Sequence, residues 1–239
     1  MTDIGPVKAE KSFEILAGKL REQILSGAIP AGEPLPNERE LGDRTGLSRG
    51  SIREALRILE AQGLVSTKAG RNGGRIALQP SPEFLQGSIQ SFVRGQQIPF
   101  ATLLETEEAI EPVLAALAAQ HRTEADLKTL REIGDRLQSS TVAADVHDSN
   151  AQWHLAVARA SHNLLLIAVA QALGPFIHNP HVEDFASPEI RDAVIHAHER
   201  IYQAIVAQDA EAAHRRMTRH IRAYRVRIEA VAPKTVTIE

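Results

Sequence analysis

The sequence predicts a mainly α protein in two parts, a winged helix-turn-helix followed by an all-α antiparallel helical bundle. Three observations predict it. Aromatic residues are only 4% of the 239 residues while hydrophobic residues are 43%, so the core must be built from Ala, Leu, Ile and Val, a mixture that suits packed helices. Apolar positions recur at helical spacing almost throughout, with strand-like runs only near 64–78. Charge and histidine are unevenly divided. Residues 1–79 hold 12 Lys/Arg against 10 Asp/Glu, residues 80–239 hold 15 against 20, and all ten histidines lie between His121 and His220.

Residues 1–10 read as a loose tail. From Lys11 to Ser26, the positions Ile15, Leu16, Leu20, Ile24 and Leu25 form a helical stripe that Gly27 ends. Asn37 and Glu40 make a capping-box pair for a short helix to Arg44, and Gly46 stops it. Ser48 is a good N-cap for a third helix to about Gln62. Leu64–Thr67 and Arg75–Leu78 flank a Gly-rich basic stretch, 70–74, and predict a β-hairpin. Pro80-Ser81-Pro82 reads as a linker. Helices are expected over about 83–95, 100–121, 124–139, 143–160, 163–177, 187–207 and 210–231, with caps at Thr123 and at Ser187-Pro188. The domain reading is 1–79 for the winged domain and 80–99 for a linker and connecting helix. The helical effector domain takes 100–231, and 232–239 a tail.

Composition excludes several classes. With no Cys there are no disulfides, no thiolate zinc sites and no cysteine nucleophile. No run approaches 18 apolar residues, and the opening Met-Thr-Asp-Ile-Gly-Pro lacks a signal-peptide pattern, so a cytoplasmic protein without membrane partners is expected. HExxH, P-loop and GxGxxG motifs are all absent.

The third helix carries the first candidate site. Arg49 and Arg53, four apart, share one face just inside its N-terminus. An arginine entering the major groove there reads guanine O6 and N7 with two hydrogen bonds. Gly50 and Ser51 are small enough for close backbone approach to phosphate. Lys68, Arg71 and Arg75 give the hairpin cations for the DNA backbone. The plain alternative, a solvated charged face, fits Arg44 and Arg57 equally well.

The runs Leu35-Pro36-Asn37-Glu38-Arg39-Glu40-Leu41, Leu47-Ser48-Arg49-Gly50-Ser51-Ile52-Arg53-Glu54-Ala55-Leu56 and Leu59-Glu60-Ala61-Gln62-Gly63-Leu64-Val65 resemble the DNA-binding domain of the GntR family of bacterial transcription regulators. The resemblance implies operator contacts from Arg39, Ser48, Arg49, Gly50, Ser51, Arg53, Gly70 and Arg71. Gly50 stands where the family often has Thr, which removes one hydroxyl from the set.

The second part resembles, more softly, the FCD effector-binding domain of the FadR subfamily. The resemblance rests on the Ala-rich helix around Glu111–Ala119, on Asn150-Ala-Gln-Trp153-His154, and on the later His198 and His220. In many FCD domains an Asp and a His four residues apart join two later histidines in ligating a divalent metal. That implies Asn150, His154, His198 and His220 as ligands here. The spacing is compatible: Asn150 and His154 leave one helix face, and His198 and His220, 22 apart with a turn midway, reach similar height on consecutive helices. Three imidazoles and an oxygen suit Zn or Ni first, with Mn, Co and Fe also accommodated. Singly, each histidine reads equally well as a hydrogen-bonded core residue.

Two departures matter. Asn150 replaces the usual Asp with a neutral amide, which weakens attraction for a dication. Glu107 stands where the family has an arginine that binds carboxylate effectors. Glu107, Asn150, His154, His198 and His220 are the candidate effector contacts. The expected protein is a ligand-responsive repressor, not an enzyme, binding a near-palindromic double-stranded operator as a homodimer and answering to an organic or sugar acid. The competing reading is a metal-dependent helical enzyme fused to a DNA-binding module, with Glu107 or Asp148 as general base.

Overall fold

The computed structural model describes residues 11–68, 74–178 and 187–231. The wing-tip glycine and arginine at 70 and 71, His181, and the tails 1–10 and 232–239 lie outside the described residues. The chain divides into two compact units, Met1–Phe84 and Leu85–Glu239.

The first unit holds α1 (Ser12–Leu25), α2 (Glu38–Thr45), α3 (Arg49–Ala61), β1 (Val65–Lys68) and β2 (Gly74–Ala77). The strands are antiparallel with Val65 opposite Ala77, and Pro34 adds an isolated bridge to Ile76. Local chemistry sets the helix ends. Asn37 Oδ1 accepts from the Arg39 and Glu40 N–H groups at 3.0 Å each, and the Glu40 carboxylate accepts from the Asn37 N–H at 3.0 Å. This is the reciprocal cap that the sequence predicts. Gly46, at φ 71°, closes α2, and Ser48 Oγ then accepts from the Ser51 N–H at 3.2 Å to open α3. α1 packs on α3, and Leu16, Leu20, Ile24, Ile52, Leu56 and Leu59 form the core between them. Gly63 has φ 69°, and a Cβ there would lie 2.7 Å from the Phe84 ring, so both backbone and space demand glycine.

The helix α4 (Pro82–Gly95) spans the division between the units. The second unit continues with α5 (Phe100–His121), α6 (Glu124–Ser139), α7 (Ala143–Ala160), α8 (Leu164–Ile177), α9 (Pro188–Val206) and α10 (Ala210–Val231). Thr123 and Ser187 cap α6 and α9 as their sequence predicts. α5 runs along α10 and also touches α7, α8 and α9, so it is the central helix of the bundle. Ala115, Ala118 and Ala119 on its inner face let neighbouring backbones come close, and they pack with Trp153, Val157, Ile201, Ile205, Met217 and Ile221. On the rim, Glu108 accepts from Arg222 Nε at 2.6 Å and from Arg225 at 3.2 Å, tying α5 to α10. No helix among the described residues is long and apolar enough to cross a membrane.

A candidate DNA-reading helix and a candidate metal centre

α3 buries Ile52, Ala55, Leu56 and Leu59 and turns its opposite face outward. Ser48, Arg49, Gly50 and Arg53 are exposed there, with Ser51 half-buried. Ser48 Oγ lies 3.0 Å from Ser51 Oγ, so one of the two hydroxyls donates to the other. Arg39, on α2, is exposed, and among the described residues its guanidinium reaches Asp43, at 4.0 Å. Arg53 is more restrained. Its Nε donates to Glu38 Oε2 at 2.8 Å, while Arg75 donates to Glu38 Oε1 at 3.1 Å. The Arg53 hydrogen bond, with Arg75 behind it, holds the Glu38 carboxyl below the usual carboxylate range despite partial burial. Arg75 is therefore a strand residue tied to α2 rather than a free phosphate contact. Sequence reasoning passed over Glu38, whose only signal was its place one residue past the Asn37 cap.

In the second unit, α7 supplies Asn150 and His154, α9 supplies His198 and α10 supplies His220, all buried. The His198 and His220 Nε2 atoms are 3.2 Å apart, and His220 Nε2 is 3.3 Å from His154 Nε2. The Trp153 ring stacks on His198 at 3.7 Å and 8°. Burial, followed by the neighbouring imidazoles, pushes His198 and His220 well below the usual histidine range, so both rings are neutral. His154 Nδ1 is bonded to Glu111 Oε2 at 2.9 Å, which leaves Nε2 for the cluster.

These residues fit a divalent metal. Zinc with bonds of about 2.0–2.1 Å has tetrahedral edges of about 3.3–3.4 Å, close to the nitrogen separations found. The three Nε2 atoms meet at hydrogen-bond distance, where they cannot all be donors, so at least one turns its lone pair toward the others. The Asn150 Oδ1 atom is buried with no hydrogen-bond partner among the described residues, as a waiting oxygen ligand would be. Asp148, off this face, accepts from Gln152.

A cavity of about 340 Å³ adjoins the cluster, with Gln86, Glu107, Glu111, Gln152, His154, Gln171 and His178 as its polar lining. Of the five candidate effector contacts, Glu107 and His154 reach this cavity; Asn150, His198 and His220 are not on its wall. Glu111 and His178 complete the wall, and burial pushes the Glu111 carboxyl up to about 7, opposed by the charge of His178. Glu111 was legible as a cavity residue only from its spacing, one turn after Glu107 on the buried stripe of α5. Away from the cluster, His121 bonds the Ser161 carbonyl and His162 bonds Asp126.

A winged helix-turn-helix followed by a helical bundle that holds a cavity beside a histidine cluster defines a ligand-responsive DNA-binding transcription regulator. The chain belongs to the GntR family of bacterial regulatory proteins, whose pattern matches residues 14–73, and carries an FCD domain matched over 102–223. The Glc operon transcriptional activator of Escherichia coli is 28% identical over 87% of this chain and 85% of its own length. The Uxu operon transcriptional regulator of the same organism is 27% identical over 89% and 85%. A solved structure, the Streptococcus agalactiae GntR, shares the fold with a TM-score of 0.67 at 24% identity, covering 90% of this chain and 99% of that one. These relatives are regulators, and the chain is a regulator rather than an enzyme.

Proposed function

We propose that the chain is a cytoplasmic repressor that binds a near-palindromic operator as a homodimer and answers to an organic or sugar acid held beside a divalent metal. Residues 1–79 read DNA, 80–99 connect, and 100–231 hold the effector. The observation that carries the reading is the convergence of three histidine Nε2 atoms beside the cavity. His154, His198 and His220 hold the ion through Nε2, with Asn150 Oδ1 as the oxygen donor. When bound, a zinc or nickel ion supplies positive charge to the effector's carboxylate or hydroxyls; manganese, cobalt or iron would serve in the same way. That charge is needed because no arginine or lysine lines the cavity among the described residues.

On the DNA side, Arg49 and Arg53 read base edges. Arg39, Ser48, Ser51, the Gly50 backbone and the wing's Gly70 and Arg71 hold the phosphates. One helix reads only a few base pairs, so two copies on a two-fold site are required. Effector and operator binding are linked through the connection, and the linkage is reciprocal. The test compares wild type with His198→Ala by elemental analysis, operator titration and thermal shift against sugar acids and hydroxy acids with and without zinc. The variant should lose metal and effector response while keeping basal operator affinity. Metal-stripped wild type that responds fully to an acid overturns the metal-mediated reading. Light scattering on and off DNA tests the dimer, and transcription in vitro tests repression.

A further inference from the structure

We propose that the bundle holds a second divalent-cation site, formed by Glu107, Glu111 and His178 on the cavity wall, separate from the three-histidine cluster. Glu107 and Glu111 are four apart on α5, so both carboxylates leave one helix face. His178, at the C-terminal end of α8, meets them there, with its Nε2 4.0 Å from Glu107 Oε1. One ligating atom from each of Glu107, Glu111, His154 and His178 can be chosen so that all lie within 4.8 Å of one another, and all four residues are buried.

Charge, donor type and access each favour a cation. Two carboxylates brought this close in a buried wall repel unless a positive charge lies between them or one takes a proton. The cavity lining contains no arginine or lysine among the described residues, and His178, whose charge acts on Glu111 in the free protein, releases its proton when it ligates an ion. Two hard oxygen donors with one imidazole suit manganese, iron, cobalt or zinc. Three protein ligands leave coordination positions open, and the cavity adjoins them. His154 marks the boundary between the two sites. Its Nε2 faces His220 at 3.3 Å and its Nδ1 is bonded to Glu111 Oε2 at 2.9 Å, so Glu111 has its second oxygen left for an ion. A ligand with a carboxylate beside a hydroxyl would chelate such an ion from the cavity.

The test uses the full chain, stripped with chelator and titrated with Co²⁺ alone. Stoichiometry is read by equilibrium dialysis and the two environments by visible absorption. Wild type is expected to bind two ions per chain. Glu107→Gln, nearly isosteric, and His178→Gln should each bind one and keep the intense tetrahedral bands of the histidine cluster. The double variant His198→Ala/His220→Ala should bind one and lose those bands. Thermal melting checks folding, and Glu107→Gln decides the matter if His178→Gln is unstable. Wild type saturating at one ion that Glu107→Gln leaves unchanged overturns the proposal, as do two ions unaffected by both cavity variants. A single ion lost in Glu107→Gln but kept in the double variant upholds this site and instead removes the three-histidine reading.

Discussion

His154 Nδ1 and Glu111 Oε2 are bonded at 2.9 Å inside the bundle, and this one contact orients the imidazole at the junction of cluster and cavity. A carboxylate behind a ligating histidine fixes its tautomer and raises its basicity, and loss of such a partner costs about 10–100-fold in metal affinity. Glu111→Gln keeps an acceptor oxygen but removes the charge. Zinc affinity, measured by chelator competition, should fall by about that factor while operator binding is unchanged. Unchanged zinc affinity would mean that the Glu111 contact does not tune the ligand.

Trp153 stacks on His198 and is itself 1% exposed in the main core of the bundle. Trp153→Ala removes a large buried ring, and replacements of that kind cost about 3–5 kcal/mol. Trp153→Phe keeps an aromatic face against the imidazole and should cost less. Urea unfolding of the metal-free protein measures both. Equal losses for Ala and Phe would show that the smaller aromatic ring restores neither the packing nor the stack.

Arg53 and Arg49 differ in a way the sequence does not show. Both are exposed on α3, but Arg53 is already held by Glu38, while Arg49 has no such tie among the described contacts. Arg49→Ala and Arg53→Ala should each lose about 1–3 kcal/mol of operator discrimination if each reads guanine bidentately. Gel-shift titrations on operator and scrambled DNA measure this. If either variant retains full operator preference, that arginine is not a base reader.

The Glu38 contact also sets a pH dependence. Its carboxyl is held below the ordinary glutamate value of 4.5, chiefly by the Arg53 hydrogen bond. The stabilisation is therefore present above pH of about 4.5 and is lost as pH falls through the lower folded-state value. The pair is partly exposed, so its worth is under about 1 kcal/mol. Glu38→Gln should lower the urea midpoint slightly at neutral pH, and the difference from wild type should vanish in acid. A difference that grows in acid would contradict the assignment.

Most of the architecture was legible because it is written locally. Asn37 with Glu40, Thr123 with Asp126, and Ser187 before Pro188 fix helix starts through contacts three residues apart, and the helix spans follow. The site was legible where ligands repeat at helical spacing, as Asn150 and His154 do. Contacts between distant segments were not. Nothing near Glu38 announces a bond to Arg75, 37 positions on, and nothing near His178 announces that the end of α8 turns toward α5. Such pairs depend on how helices pack, which periodicity leaves open.

Asn150 offers the sharpest test of the metal centre. Its Oδ1 is buried without a hydrogen-bond partner among the described residues, at a place where a carboxylate would bring charge to an ion. Asn150→Asp should act oppositely in the two states. Without metal, a buried ionised carboxylate lacks compensation and the melting temperature should fall. With zinc, the carboxylate meets the dication, and each tenfold gain in affinity adds about 1.4 kcal/mol to the native state at saturating metal. The gap between metal-free and zinc-loaded melting temperatures should therefore be wider in Asn150→Asp than in wild type. Scanning calorimetry with chelator and with excess zinc measures both gaps in one series. Equal gaps would mean that residue 150 does not touch the ion, and the ligand set would shrink to the three histidines.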